Sequence, residues 1–399
     1  MLALRLLLTC LPGFGHFLPM VPLARAAAGA GHEVAFATAA GFCPQIEEAG
    51  FAAFPAGLSL PEQLEQAARR FPEQYALPFG KERFQSFVPR MLAGVAAPPR
   101  AADLVPILEE WGADLLVHDE TELGGPVAAG VAGIPCADHS VGILRPLEMA
   151  RLAGEVIAPT AEEWEVDLGS FGGLFLYLYL DVCPPSLQSS EIDRIDVAHP
   201  MQNAHIDTGA DRLPAWIDDL PALPTLYVSL GTLHQSREAF LTILEGVRGE
   251  DLNVIVTIGT GNDPAALGPQ PDNVHVEEFI PQSALLPRCD VVINQGGTAI
   301  LPILAHGLPL LILPRAANQF HNAEACVAAG VARRLLPAEV TAEAIREEIR
   351  ALREQPTYRD RARQVAQEIH RMPAPGDGLR LLERLAQERS PLIRDAVGR

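Results

Sequence analysis

The chain has 399 residues, 48% of them hydrophobic and 20% charged, an ordinary globular composition on a length that exceeds one core, so two domains are expected. Its formal net charge of −20 disfavours a nucleic-acid backbone or an anionic membrane as partner, because both need a positive footprint. Six cysteines with neither C-x-x-C spacing nor a Cys/His cluster at zinc spacing read as reduced, mostly buried thiols and exclude a zinc module.

The opening run from Leu2 to Leu11 has the length of a secretory h-region. Arg5 interrupts it, however, no small-residue cleavage site follows, and it runs into a glycine turn, so a core strand over Leu4 to Cys10 is expected. No uninterrupted apolar stretch reaches the roughly 18 residues of a membrane span, and the expected location is the cytoplasm. A helix over Phe17 to Ala30 follows, tolerating Pro19 and Pro22 near its first turn. The strand Glu33 to Thr38, a helix over Phe42 to Ala49 and a short strand near Phe51 to Phe54 continue the alternation of a parallel sheet covered by helices.

Between Ser59 and Pro99 the alternation fails, and inserted helices and loops are expected there. It resumes with a helix near Leu104 to Trp111, a strand over Asp114 to His118, a helix over Leu123 to Ala132 and a strand over Ile134 to Asp138. Residues 140–222, punctuated by Pro184-Pro185, Pro214 and Pro221, read as an irregular linker whose Trp216-Ile217 pins it to the surface. A second alternating series then places strands at Thr225 to Leu230, Asn253 to Ile258, Val274 to Val276, Val291 to Ile293, Leu308 to Leu313 and Ala332 to Leu335. Helical patterns over Ala342 to Arg353, Tyr358 to Arg371 and Leu379 to Arg389 close the chain.

Two glycine turns stand out, each between a buried strand and a helix. The first, Leu11-Pro-Gly-Phe-Gly-His16, ends in a histidine suited to proton transfer, at the strand end where open α/β sheets place ligands. Asp119 ends the strand Leu115-Leu-Val-His-Asp119 at the same edge. It is either the orienting partner of His16 or the N-cap of the helix that follows. Strand alternation sends His118 to the opposite face, a structural position. In the second half, Ser229, Gly231 and Thr232 put small and hydroxyl residues at a strand end. Asn294-Gln-Gly-Gly-Thr298 offers backbone N–H groups to a phosphate, and Phe279-Ile-Pro-Gln282 offers a flat ring to a base or anchors a buried loop. Asn318, Gln319 and Asn322 suit sugar hydroxyls, and turn or cap chemistry explains the asparagines nearly as well. Phe79, Phe84, Phe87 and Met91 either line a hydrophobic acceptor pocket or form a satellite core.

As an ordered set, L-P-G-F-G-H-F-L-P-M-V-P-L-A near the start, V-H-D-E at 117–120, L-P-T-L-Y-V-S-L-G-T at 223–232, F-I-P-Q at 279–282 and L-P-R-A-A-N-Q-F-H-N-A at 313–323 resemble bacterial natural-product glycosyltransferases. These share the GT-B fold with the plant UDP-glycosyltransferases, and the similarity spans nearly the whole chain. The resemblance implies two Rossmann-like parallel-sheet domains facing across a cleft. An acceptor-binding domain would occupy 1–215 and a nucleotide-sugar domain 216–370, with a hinge between 208 and 222 and a last helix, 371–399, crossing back. It implies inverting transfer from a dTDP- or UDP-sugar to a hydrophobic small molecule, without metal or cofactor. His16 would be the general base, oriented by Asp119. Ser229, Gly231 and Thr232 would lie near the phosphates, Phe279, Ile280 and Gln282 at the base, Gly296, Gly297 and Thr298 at the diphosphate turn, and Asn318 and Gln319 at the sugar.

Two residues depart from the family's pattern. Gln295 stands where a histidine commonly meets the diphosphate, and a glutamine cannot become cationic. Asn318 stands where an aspartate usually precedes the glutamine. These departures motivate a second reading, a GT-B-like binding or auxiliary protein with a degenerate donor site and no turnover. A sugar-nucleotide epimerase fits the motif set less well. An oxidoreductase fits worse still, because G-F-G-H lacks the third glycine of a dinucleotide fingerprint. Acceptor and nucleotide sugar are the expected partners, and a homodimer is left open.

Overall fold

The computed structural model describes residues 3–203, 213–231 and 236–394; Thr232 and residues 208–212 of the expected hinge lie outside them. The chain divides into two compact units, one of Met1–Cys183, Gln188–Ala204 and Met372–Arg399, the other of Pro184–Leu187 and His205–Arg371.

The first unit is built on a seven-stranded sheet in the order β3-β2-β1-β4-β5-β6-β7. Its strands are β1 (Arg5–Thr9), β2 (Glu33–Thr38), β3 (Ala52–Pro55), β4 (Leu115–Asp119), β5 (Cys136–His139), β6 (Tyr179–Asp181) and β7 (Ala198–Pro200). All neighbours pair in parallel, with Leu7 facing Ala35 on one side and Leu116 on the other. Leu6, Leu7 and Leu8 are all buried because helices cover both faces, which is why β1 is an unbroken apolar run. The chain order reverses between β1 and β4, so the connections leaving these neighbours diverge and open a crevice at their carboxyl ends.

The second unit repeats the plan with six parallel strands in the order β10-β9-β8-β11-β12-β13. They are β8 (Thr225–Ser229), β9 (Asn253–Thr257), β10 (Val274–Glu277), β11 (Val291–Asn294), β12 (Leu310–Ile312) and β13 (Ala332–Arg334). Here the reversal falls between β8 and β11, whose ends Ser229 and Asn294 lie directly opposite.

Much of the described part of the stretch expected to be an irregular linker is instead regular. It contains a helix over Leu147–Glu163, the strand β6 and the edge strand β7. Pro159 sits inside that helix, while Ala153, Ile157 and Ala161 make its buried stripe; the prolines masked a helical period of four. Between Ser59 and Pro99 the inserted elements are helical. A run from Lys81 to Trp111 passes through a π-turn at Leu92–Ala96. This run is long and apolar enough to cross a membrane, yet 61% of its apolar window is buried inside the protein, the mark of a core helix. The helix expected from Phe17 is broken into Phe14–Phe17, a 3₁₀ turn at Leu18–Met20 and a helix over Val21–Gly29, where Pro19 and Pro22 remove N–H donors.

The helix Pro375–Glu388 packs in the first unit. Glu383 meets His32 Nε2 at 3.1 Å, and the Leu4 N–H donates to His32 Nδ1. Trp216 stacks on His275, rings 3.9 Å apart, and Ile217 is buried. All six cysteines are buried and none forms a disulfide.

Candidate active site

The β1–β4 switch point brings His16 and Asp119 together. Gly13 opens a short helix, Phe14–Phe17, with extended backbone, and this returns His16 over the end of β4. Its Nδ1 lies 3.3 Å from Asp119 Oδ1. The histidine side chain is 28% exposed while the carboxylate is fully buried, so one partner can meet a substrate and the other cannot. Asp119 Oδ2 accepts the Leu11 N–H at 2.8 Å and Oδ1 accepts the Thr121 N–H at 2.7 Å. Burial alone would raise the carboxyl; the His16 charge and the hydrogen bonds from Thr121 and Leu11 outweigh it and hold it well below the usual carboxylate range. No capping bond joins Asp119 to the helix Gly124–Ala132; Glu122 does that work, bonding the Gly124 and Gly125 N–H groups.

His118, on the other face, sits 3.0 Å from Asp138 through Nε2, a contact off the ideal hydrogen-bond axis, and its Nδ1 donates to the Asp119 carbonyl. Burial opposes its protonation, but Asp138 prevails and raises its pKa well above the ordinary value. This is the structural role expected of it.

In the second unit the β8 and β11 turns meet. A methyl group added at Gly231, whose φ is +70°, would fall on Gln295 Nε2, so the amide lies directly over that glycine; Gln295 Oε1 is buried and has no hydrogen-bond partner among the described residues. Gly296, at φ +85°, gives its N–H to Asn294 Oδ1 and its carbonyl to Asn322 Nδ2. Gly297 and Thr298 follow, half-buried, ahead of the six-residue helix Ile300–Ala305. Gln319 is buried and its Oε1 accepts the Arg315 and Ala316 N–H groups, bracing the loop before it. Asn318 is half-buried and its side chain does not cap the helix Gln319–Ala328. Phe279 is 67% exposed whereas Ile280 is 2% exposed; of this pair the ring alone is offered to solvent. Gln282 opens a short helix, half-buried.

The four residues expected to line an acceptor pocket separate. Phe84, Phe87 and Met91 are buried, because their i, i+3, i+7 spacing forms the inward stripe of the helix Lys81–Met91. Phe87 and Met91 pack in one core with Leu11, Leu123 and Ile157. Phe79 is 65% exposed, with the Arg83 guanidinium over its ring. The satellite-core alternative therefore describes three of the four.

Sequence reasoning missed Thr121. Its hydroxyl lies 3.1 Å from His16 Nδ1 and also bonds Asp119 Oδ1; a hydroxyl two residues after a strand-ending aspartate was the available signal.

The family described as Erythromycin biosynthesis protein CIII-like matches this chain with its N-terminal domain over residues 25–231 and its C-terminal domain over 242–385. An L-demethylnoviosyl transferase from Streptomyces niveus is 32% identical over 343 residues, 82% of this chain and 84% of that protein. A 10-deoxymethynolide desosaminyltransferase from Streptomyces venezuelae is 27% identical, covering 97% of this chain and 99% of that one. Among solved structures, the glycosyltransferase SnogD from Streptomyces nogalater superposes with a TM-score of 0.76 at 28% identity, over 96% of this chain and 99% of that chain. The paired parallel sheets and these matches together identify the chain as a member of the EryCIII-like family, a bacterial natural-product glycosyltransferase of the GT-B fold.

Proposed function

We propose that the protein transfers a sugar from a dTDP- or UDP-sugar to a hydroxyl of a hydrophobic natural product, with inversion and without a metal. His16 Nε2 takes the acceptor proton, Asp119 stabilises the imidazolium, the acceptor oxygen attacks the anomeric carbon, and the bond to the nucleoside diphosphate breaks in line. The observation that carries this reading is the His16–Asp119 pair at the first sheet's switch point, matched by paired glycine turns at the second. Because the Gly296 N–H is committed to Asn294, the leaving diphosphate falls to the N–H groups of Gly297 and Thr298 and to the neutral amide of Gln295. Charge-assisted bonds are about twice as strong as neutral ones, so this site relies more on backbone geometry than one with a cationic histidine.

Two measurements test the reading. Calorimetry against dTDP, UDP and their sugars is expected to give saturable binding to one diphosphate series; binding to neither sinks the donor assignment. With the donor so identified, His16→Ala is expected to lower transfer to alcohol acceptors by about 10²–10⁴-fold with nucleotide affinity unchanged, and near-normal transfer would remove His16 as the base.

A further inference from the structure

We infer that Thr121 is a positioning residue for His16: its hydroxyl oxygen, rather than the Asp119 carboxylate directly, accepts the hydrogen bond from His16 Nδ1–H and fixes the tautomer that leaves Nε2 as the base. The inference rests on the proposed role of His16 and adds the link between that residue and the aspartate.

Three groups crowd one carboxylate oxygen, Asp119 Oδ1. Asp119 Oδ1 has two lone pairs in the carboxylate plane. The Thr121 N–H takes one at 2.7 Å, and the Thr121 hydroxyl lies closer still. His16 Nδ1 is the third and most distant neighbour at 3.3 Å, whereas it is 3.1 Å from Thr121 Oγ1. Asp119 is held ionised by its surroundings and can only accept. The threonine proton must therefore point at Asp119, because otherwise two lone pairs would meet across the shortest contact of the group. With its proton so committed, Oγ1 can face His16 only as an acceptor. Nδ1 then carries a hydrogen, and Nε2 presents a lone pair on the exposed side of the ring. The aspartate's charge acts on the imidazolium through space, and the threonine sets its orientation.

A valine at this position keeps the β-branched shape and puts a methyl where the hydroxyl was. It thus removes the acceptor while preventing His16 from closing on Oδ1. The test is ¹⁵N spectroscopy of the full chain labelled at its histidine rings, without substrate, using His16→Ala to assign the His16 signals. The wild-type protein at neutral pH is expected to show a pyrrole-like Nδ1 and a pyridine-like Nε2 at His16. In Thr121→Val the two signals are expected to move toward the averaged values of mixed tautomers, and Thr121→Ser is expected to restore the wild-type pattern. The buried His118 and His139 report on fold integrity in the same spectrum; if the valine variant loses their signals, Thr121→Ala is read in its place.

An unchanged His16 pattern in the folded valine or alanine variant overturns the inference, and so does an Nε2-protonated tautomer in the wild type. The kinetic counterpart, on the sugar nucleotide found by calorimetry, is a lower kcat for Thr121→Val with the donor KM unchanged and activity regained in Thr121→Ser. Retained turnover in His16→Ala would instead sink the proposed base while leaving the tautomer result standing, so the two failures are distinguishable.

Discussion

At the residue scale the second unit's turn depends on one glycine. Gly296 has φ +85°, and an added Cβ would stand 2.8 Å from Ile312 Cγ2 and 3.1 Å from the Gln319 carbonyl oxygen. Gly296→Ala is expected to cost about 1–3 kcal/mol and to lose most nucleotide binding, measured by urea unfolding and calorimetry. Gly297→Ala is the contrast, since its nearest neighbour would be Gln295 Nε2 at 3.9 Å, and its stability is expected to stay near wild type. Equal losses in both would show that the turn is not held by that contact. His16 and Asp119 were legible in the sequence because each ends or follows an unmistakable apolar strand, so the sheet rule alone put them at one edge. Thr121 was not, because a hydroxyl's partners depend on atomic positions that no period encodes. The burial of Phe84, Phe87 and Met91 could have been read from their spacing, had the prolines around them not pointed to loops.

At the element scale, the last helix belongs to the fold of the first unit. Leu379, Leu382 and Leu385 are buried along it, and Gly378 packs so closely on Met201 that an added Cβ would reach its sulfur. Leu385→Ala is expected to cost about 2–5 kcal/mol. In denaturant titrations the loss should fall on the transition of the first unit, which holds Trp111 and Trp164, and spare the stacked Trp216 of the second; a shift confined to Trp216 would refute this. The long central strands were readable because both faces are apolar, as Leu115, Leu116 and Val117 illustrate. The strands β6 and β7 were not, since they lie in the proline-rich stretch that read as a linker and are set by pairing, β6 with β5 and β7 with β6.

At the scale of the whole molecule, two buried groups give stability opposite pH slopes. Burial raises the Asp181 carboxyl to about 7, although the Cys183 N–H and Gln188 Nε2 partly offset it. The native protein therefore holds a proton that the unfolded chain releases between about pH 4 and 7, and stability falls as pH rises through that window. His139 runs the other way, since burial lowers it to about 4. Between about pH 4 and 6.5 the unfolded chain binds a proton the native protein refuses, and stability rises with pH. The effects are on the order of 4 kcal/mol for Asp181 and 3 kcal/mol for His139, so their slopes nearly cancel between about pH 4 and 6.5. Asp181→Asn keeps the acceptor oxygen and removes the titration. Its advantage over wild type is expected to grow from near zero at pH 4 to about 4 kcal/mol at pH 8, measured by urea unfolding; a constant difference would be evidence against a buried neutral carboxyl.

The buried thiols have a practical consequence at the same scale. Desolvation raises Cys10, Cys43 and Cys136, and pushes Cys289 and Cys326 up to about 12, so these five offer alkylating reagents almost no thiolate, and Cys183 is shielded by burial. Cys10, Cys43, Cys136 and Cys183 belong to the first unit, Cys289 and Cys326 to the second. Iodoacetamide labelling followed by peptide mass analysis should therefore leave the native enzyme unmarked and record which half opens first, with no engineered reporter.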